Sequence, residues 1–159
     1  MKYLLYLLFS TSIFAQTPID KLLSKFNKEN IPYVTIEEFK KLKHPILLDT
    51  REEKEFDISH IQNAYSVGYD NFNAKSVKQK YSNLNDTIVV YCSVGIRSET
   101  IGTKLKKLGY KNVYNLYGGI FEWKNNNQPV VDNNQEITDN VHVFSKEWSE
   151  YLIKGKKVY

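Results

Sequence analysis

The segment Cys92-Ser93-Val94-Gly95-Ile96-Arg97-Ser98 gathers a thiol, a glycine and a guanidinium, and Cys92 is the single cysteine of the 159-residue chain. A thiol attacks as its thiolate. A loop that curls at the start of a helix turns several backbone N–H groups toward a negative charge, with the helix dipole behind them. Gly95 permits such a curl, and Arg97 can add a fixed charge or a bidentate contact to an oxyanion. The donors of Ser93, Val94, Gly95, Ile96 and Ser98 would complete the cradle. A lone thiol cannot close an internal disulfide, so Cys92 is either kept for chemistry or buried as an inert small hydrophobe. The pattern Cys-x-x-Gly-x-Arg is too short to decide between these by itself.

Other residues invite a chemical reading. Asp49 closes an apolar run and would either satisfy backbone donors near the cysteine segment or act as a general base. Arg51 and Glu55 are four apart and are expected to pair within a helical turn; the alternative is a substrate contact by Arg51. His60 reads as a hydrogen-bonded turn residue. His44 and His142 are isolated, and no His, Cys, Asp and Glu grouping has metal-ligand spacing, so neither a metal nor a cofactor is expected.

These residues need elements to position them. Thr87-Ile88-Val89-Val90-Tyr91 is the strongest strand pattern, β-branched and running straight into Cys92. Beyond the cysteine, Ile101, Leu105 and Leu108 repeat with helical spacing, and Gly109 stands where a C-cap belongs. Strands are also expected at Tyr33–Thr35, Pro45–Asp49, Ala64–Val67 and Asn112–Leu116. Helices are expected from Thr17 to Asn30, from a Thr35/Glu38 capping box to Leu42, over Arg51–Phe56, over Phe72–Tyr81 and after Gly118-Gly119. Strands alternating with helices predict an α/β sandwich, a central parallel sheet with helices on both faces. Asn125–Asn140 reads as a polar linker, and Ser145 as the cap of a last helix carrying Trp148, Tyr151 and Leu152.

The composition fits one folded domain: 42% hydrophobic, 14% aromatic, with 22 Lys and Arg against 18 Asp and Glu. A net charge of +4, spread along the chain, is a solvated surface and no nucleic-acid footprint. Residues 1–15, Lys2 followed by an apolar run and ending Ile13-Phe14-Ala15, read as a secretory signal peptide cut before Gln16, which predicts an exported, periplasmic or secreted, protein. The run is too short for a membrane span, so no stable membrane insertion is expected. The remaining divisions are a lead-in helix at 16–32, a domain at 33–127 and a tail at 128–159. The tail would form either a helix folded back over the domain or a docking surface.

The chain resembles the rhodanese family. The similarity rests on Leu48-Asp49-Thr50-Arg51 with Glu55-Phe56, His60-Ile61 with Ala64, and Val89-Val90-Tyr91-Cys92 with Gly95 and Arg97-Ser98. It continues through Leu105, Leu108-Gly109-Tyr110, Val113, Leu116, Gly118-Gly119 and Trp123. Asn63 replaces a usual glycine, and Ile101-Gly102 stands where paired small residues are usual, which questions the packing of that helix. The resemblance implies a three-layer sandwich with a catalytic cysteine at Cys92. It further implies transfer of a sulfane sulfur from a small anionic donor, thiosulfate or a persulfide, to a thiol, cyanide or protein acceptor, with Arg97 orienting the donor. Related phosphatases and arsenate reductases carry a longer loop than the Ser93–Ile96 interval here, which favours sulfur transfer over phosphate chemistry. A carrier or binding module with little turnover is the alternative from another class.

Overall fold

The computed structural model describes residues 16–159, so the expected signal peptide lies outside the described residues. Strands β1 (Tyr33–Val34), β2 (Ile46–Asp49), β3 (Tyr65–Ser66), β4 (Thr87–Tyr91) and β5 (Asn112–Leu116) form one parallel sheet in the order β1-β5-β4-β2-β3. Central β4 lies between β2 and β5, and Ile88, Val89, Val90 and Tyr91 are all 0% exposed. Such a strand reads as a continuous apolar run because both sheet faces are covered.

Side chains alternate across the sheet, so two cores form. On one face Ile88 and Val90 join Leu48, Val113, Ile31 and residues of α4 (Ala74–Lys80) and α5 (Ile96–Lys107). On the other, Val89 and Tyr91 join Leu47, Leu116 and residues of α1 (Pro18–Phe26), α2 (Ile36–Phe39) and α6 (Gly119–Asn125). The Thr35/Glu38 capping box is present, but α2 closes at Phe39, short of Leu42, and α4 begins at Ala74 under the side chain of Asn73. In α5, Ile101 is fully buried, while Gly102 lies against Ile31 and Val90, where one added carbon would overlap the Ile31 side chain. A single small residue suffices for the close approach that the Ile101-Gly102 pair puts in question.

The polar stretch after Asn125 is no linker. Val130–Val131 (β6) pairs antiparallel with Ile137–Thr138 (β7), and β6 also bridges to His60. The final segment then folds back: Asn140–His142 (β8) pairs in parallel with Lys156–Val158 (β9), and Val141, Val143 and Leu152 enter the second core. The expected last helix is only a 3-10 turn at Trp148–Tyr151. No helix among the described residues is long and apolar enough to cross a membrane.

Beyond β2 the chain leaves toward β3, and beyond β4 it leaves to the opposite side toward β5, so the carboxyl ends of β2 and β4 flank a switch point where open α/β sheets form a crevice. One glycine fixes the floor of this crevice. Gly119 adopts φ +58, and a Cβ there would strike the Cys92 carbonyl oxygen and press on Ser93. The close approach lets the first amides of α6 bind the loop: Ile120 N–H donates to the Cys92 carbonyl at 2.9 Å and Phe121 N–H to the Ser93 carbonyl at 3.1 Å. Gly119→Ala is therefore expected to destabilise the protein by about 2 kcal/mol or more in urea unfolding, since a left-handed backbone and a backbone clash coincide. An effect within experimental error would show that α6 does not anchor the loop.

Candidate functional site

Cys92 stands one residue beyond β4, and its loop ends at the first turn of α5. Gly95, at φ +107, is the N-cap of that helix. Its N–H donates to Cys92 Sγ at 3.1 Å, and the Ser98 hydroxyl lies 3.6 Å from the same sulfur. Two amides hold the curl from outside. Asn115, fully buried on β5, donates to the Gly95 carbonyl at 2.8 Å and accepts from Ser98 Oγ at 2.8 Å. Asn27, just past α1, donates to the same carbonyl at 2.9 Å.

The charged residues pair differently from the sequence expectation. Arg51 does not meet Glu55. Its guanidinium turns back onto Asp49, with Nη2 2.6 Å from Oδ2, and also donates to the Ser59 carbonyl at 2.7 Å, all wholly buried. The reason is local. Glu52 is the N-cap of α3 (Glu53–Ile58), so Arg51 lies outside the helix and the four-residue helical spacing does not apply. Asp49 accordingly accepts from the Arg51 amide and guanidinium. Glu55 is left for Arg97, which reaches it with two parallel bonds of 2.6 and 2.8 Å and touches Ser93 Oγ at 3.0 Å. Arg97 thus has its charge matched by a buried carboxylate, while its side chain remains 18% exposed and lines the cavity at the cysteine loop. His60 is held apart in its turn: its ring stacks on Phe56 at 3.8 Å, Nδ1 meets the Phe56 carbonyl, and the backbone bridges to Val131.

The cysteine loop opens into a cavity of about 180 Å³. Cys92, Ser93, Val94, Ile96 and Arg97 form its floor and one side; Phe144 and Trp148 of the final segment form the other. Among the described residues no three His, Cys, Asp or Glu side chains are grouped to hold a metal. Several positions carry no local signal for their role. Spacing alone pairs Glu55 with Arg51, and the Gly118-Gly119 pattern marks Gly119 as a helix start. Asn115 had a usable signal, because an amide within an apolar strand must find partners if buried.

Burial pushes the Cys92 thiol up, but the Arg97 guanidinium, the Ser98 hydroxyl and amide and the Gly95 amide outweigh it and hold the thiol below its ordinary value. Burial likewise raises Glu55, and Arg97 more than reverses it, keeping the carboxylate ionised. Iodoacetamide alkylation of Cys92 should therefore rise with pH to a plateau whose midpoint lies below that of the same cysteine in the urea-unfolded chain. Arg97→Met removes the cation that holds the thiol down, so the midpoint must move up. A midpoint that falls or stays fixed in that variant would show that Arg97 does not stabilise the thiolate.

Residues 35–126 match the Rhodanese-like domain family. Among curated relatives, a tRNA uridine(34) hydroxylase of Onion yellows phytoplasma (strain OY-M) is 32% identical over 123 residues, 74% of this chain and 40% of that protein. The protein of that name from Streptococcus pneumoniae (strain Hungary19A-6) is 33% identical over 55% of this chain and 29% of its own length. The chain thus spans well under half the length of these relatives. A rhodanese-related protein of Thermoplasma volcanium superposes with a TM-score of 0.55 at 25% identity, covering 64% of this chain and 98% of its own. The thiosulfate sulfurtransferase of Pseudomonas aeruginosa shares the fold with a TM-score of 0.60 at 19% identity, over 84% of this chain and 25% of its own. With a parallel sheet in this order, a cysteine at its switch point and a family match over most of the described residues, the chain belongs to the rhodanese-like domain family.

Proposed function

We propose that the protein is a sulfurtransferase that carries sulfane sulfur on Cys92 as a persulfide. The observation that carries this reading is a cysteine at the floor of a helix-capping loop, with Gly95 N–H donating to its sulfur at 3.1 Å and Arg97 and the Ser98 amide also favouring the thiolate. The reaction is a double displacement. The Cys92 thiolate attacks the outer sulfur of thiosulfate; the new S–S bond forms as the old one breaks, and sulfite leaves with the bonding pair. A thiophilic acceptor then takes the terminal sulfur, cyanide leaving as thiocyanate and a thiol as its own persulfide, and the thiolate is restored.

The loop suits this work through preorganised dipoles aimed where the charge resides. Ser93 to Ile96 span the interval between Cys92 and Arg97, a ring that fits one added sulfur. Glu55 occupies the two guanidinium nitrogens that a phosphate would claim, which speaks against a phosphatase or arsenate reductase.

Incubation with thiosulfate should leave the intact protein heavier by one sulfur atom. Cyanide or a thiol should remove the added mass, and Cys92→Ser should never gain it. Aryl phosphate hydrolysis should be negligible. Steady-state thiocyanate formation separates an enzyme from a carrier that loads once and waits for a partner. A wild-type mass that never shifts with any sulfane donor would remove the persulfide reading.

A further inference from the structure

The final segment supplies two of the residues that line the cavity, Phe144 and Trp148. Val143 N–H donates to the Val158 carbonyl at 2.9 Å, closing the base of the excursion that begins beyond β8. Phe144 follows at once with φ +64, a left-handed conformation unusual for a bulky side chain. Its N–H is fixed by His142 Nδ1 at 3.1 Å, and Ser145 N–H donates to the Val143 carbonyl at 2.7 Å. The turn sends the Phe144 ring over the Arg97 guanidinium, 5.1 Å from Cζ, although the residue is half-exposed and contributes little to the core. Backbone strain that buys no burial is a feature of sites built for binding. Trp148 is braced beside it by Tyr151 at 6.1 Å and by Phe26 of α1 at 6.4 Å.

The cavity these rings close is apolar and without free charge. Val94, Ile96, Phe144 and Trp148 line it, and its one cation among the described residues, Arg97, is bound bidentately by Glu55. A volume of about 180 Å³ exceeds the ~150 Å³ of an apolar cavity that takes up benzene. A dianion entering here would lose water and meet no unmatched guanidinium, which is costly. An aryl or branched alkyl group would instead replace water against two aromatic rings.

We infer that Phe144 and Trp148 select the sulfur donor, and that the donor class this pocket fits is a hydropersulfide R–S–SH with an aromatic or bulky apolar R group. The inference rests on the sulfurtransferase reading and deepens it. The Cys92 thiolate attacks the terminal sulfur, the S–S bond to R breaks, and the departing thiolate takes the proton of the S–H group, so Cys92–S⁻ and R–S–SH give Cys92–S–S⁻ and R–SH.

Three stable donors that deliver the same sulfur test this: benzenethiosulfonate, methanethiosulfonate and thiosulfate. Cys92 loading is followed by intact mass, and each rate is divided by the rate with a free small thiolate to remove intrinsic reactivity. After that division benzenethiosulfonate should exceed methanethiosulfonate by about tenfold or more, the scale of burying one phenyl group, and thiosulfate should be the slowest. The advantage should appear in half-saturation more than in the maximal rate. Phe144→Ala and Trp148→Ala should each cut the phenyl advantage several-fold, and benzenesulfinate should shield Cys92 from iodoacetamide in the wild type but weakly in Phe144→Ala. Since Phe144 is half-exposed, its truncation leaves the core in place. Loading by thiosulfate with no phenyl advantage overturns the donor assignment and leaves sulfur transfer standing; a phenyl advantage that survives both variants overturns the role of the two rings. No loading by any donor overturns both readings.

Discussion

The ion pair between Glu55 and Arg97 is the interaction on which the site depends. It joins α3, which follows β2, to α5, which follows β4, and so closes the crevice at the switch point from one side to the other. The Glu55 side chain is fully buried and that of Arg97 is 18% exposed, so the pair is a desolvated one, whose loss on one side would leave a buried charge unpaired at a cost on the order of 3–5 kcal/mol. The same pair sets the electrostatics. Arg97 is near enough to hold the Cys92 thiol down, yet its charge is matched by Glu55 within the protein. Asp49 and Arg51 repeat the arrangement one strand away, where both are wholly buried. Four charged side chains thus crowd the ends of β2 and β4 and sum to zero, with Arg97 and the loop amides together favouring the thiolate.

Much of the scaffold was legible because its physics is local. Strand β4 is β-branched and apolar throughout, and β5 runs over the residues that its pattern marks, Asn112 to Leu116. Thr35 and Glu38 announce their capping box by type and spacing alone. The loop geometry was legible in outline for the same reason, since a cysteine at a strand end followed by Gly95 and a helical pattern leaves few ways for the chain to turn.

What escaped the sequence is long-range. The four-residue interval from Arg51 to Glu55 predicts a pair only if both lie on a helix, and the helix begins too late. Asn115 and Asn27 meet on one carbonyl from opposite ends of the chain, and no local pattern relates them. Asn125 to Asn140 reads as a linker because its polar residues hide two strands of two residues each, β6 and β7, which pair with each other while His60 bridges to β6. The pattern of the last segment predicts a helix folded back or a docking surface. It does fold back, but through β8, a 3-10 turn and β9, and the aromatic residues that looked like a core face divide between packing and the cavity.

The charge balance also bears on how one loop would serve both halves of the proposed sulfur-transfer cycle. A thiolate and its persulfide each carry a single negative charge, displaced by one S–S bond, so the amides of Gly95 and Ser98 and the dipole of α5 face the same net charge before and after loading. Dipoles fixed by the fold need not reorganise between the two states. The neutral Glu55–Arg97 pair keeps this true, because an uncompensated guanidinium would favour whichever species brought more negative charge and would retain a departing anion. The apolar wall contributed by Phe144 and Trp148 works in the same direction, offering a leaving group no charge to which it could cling.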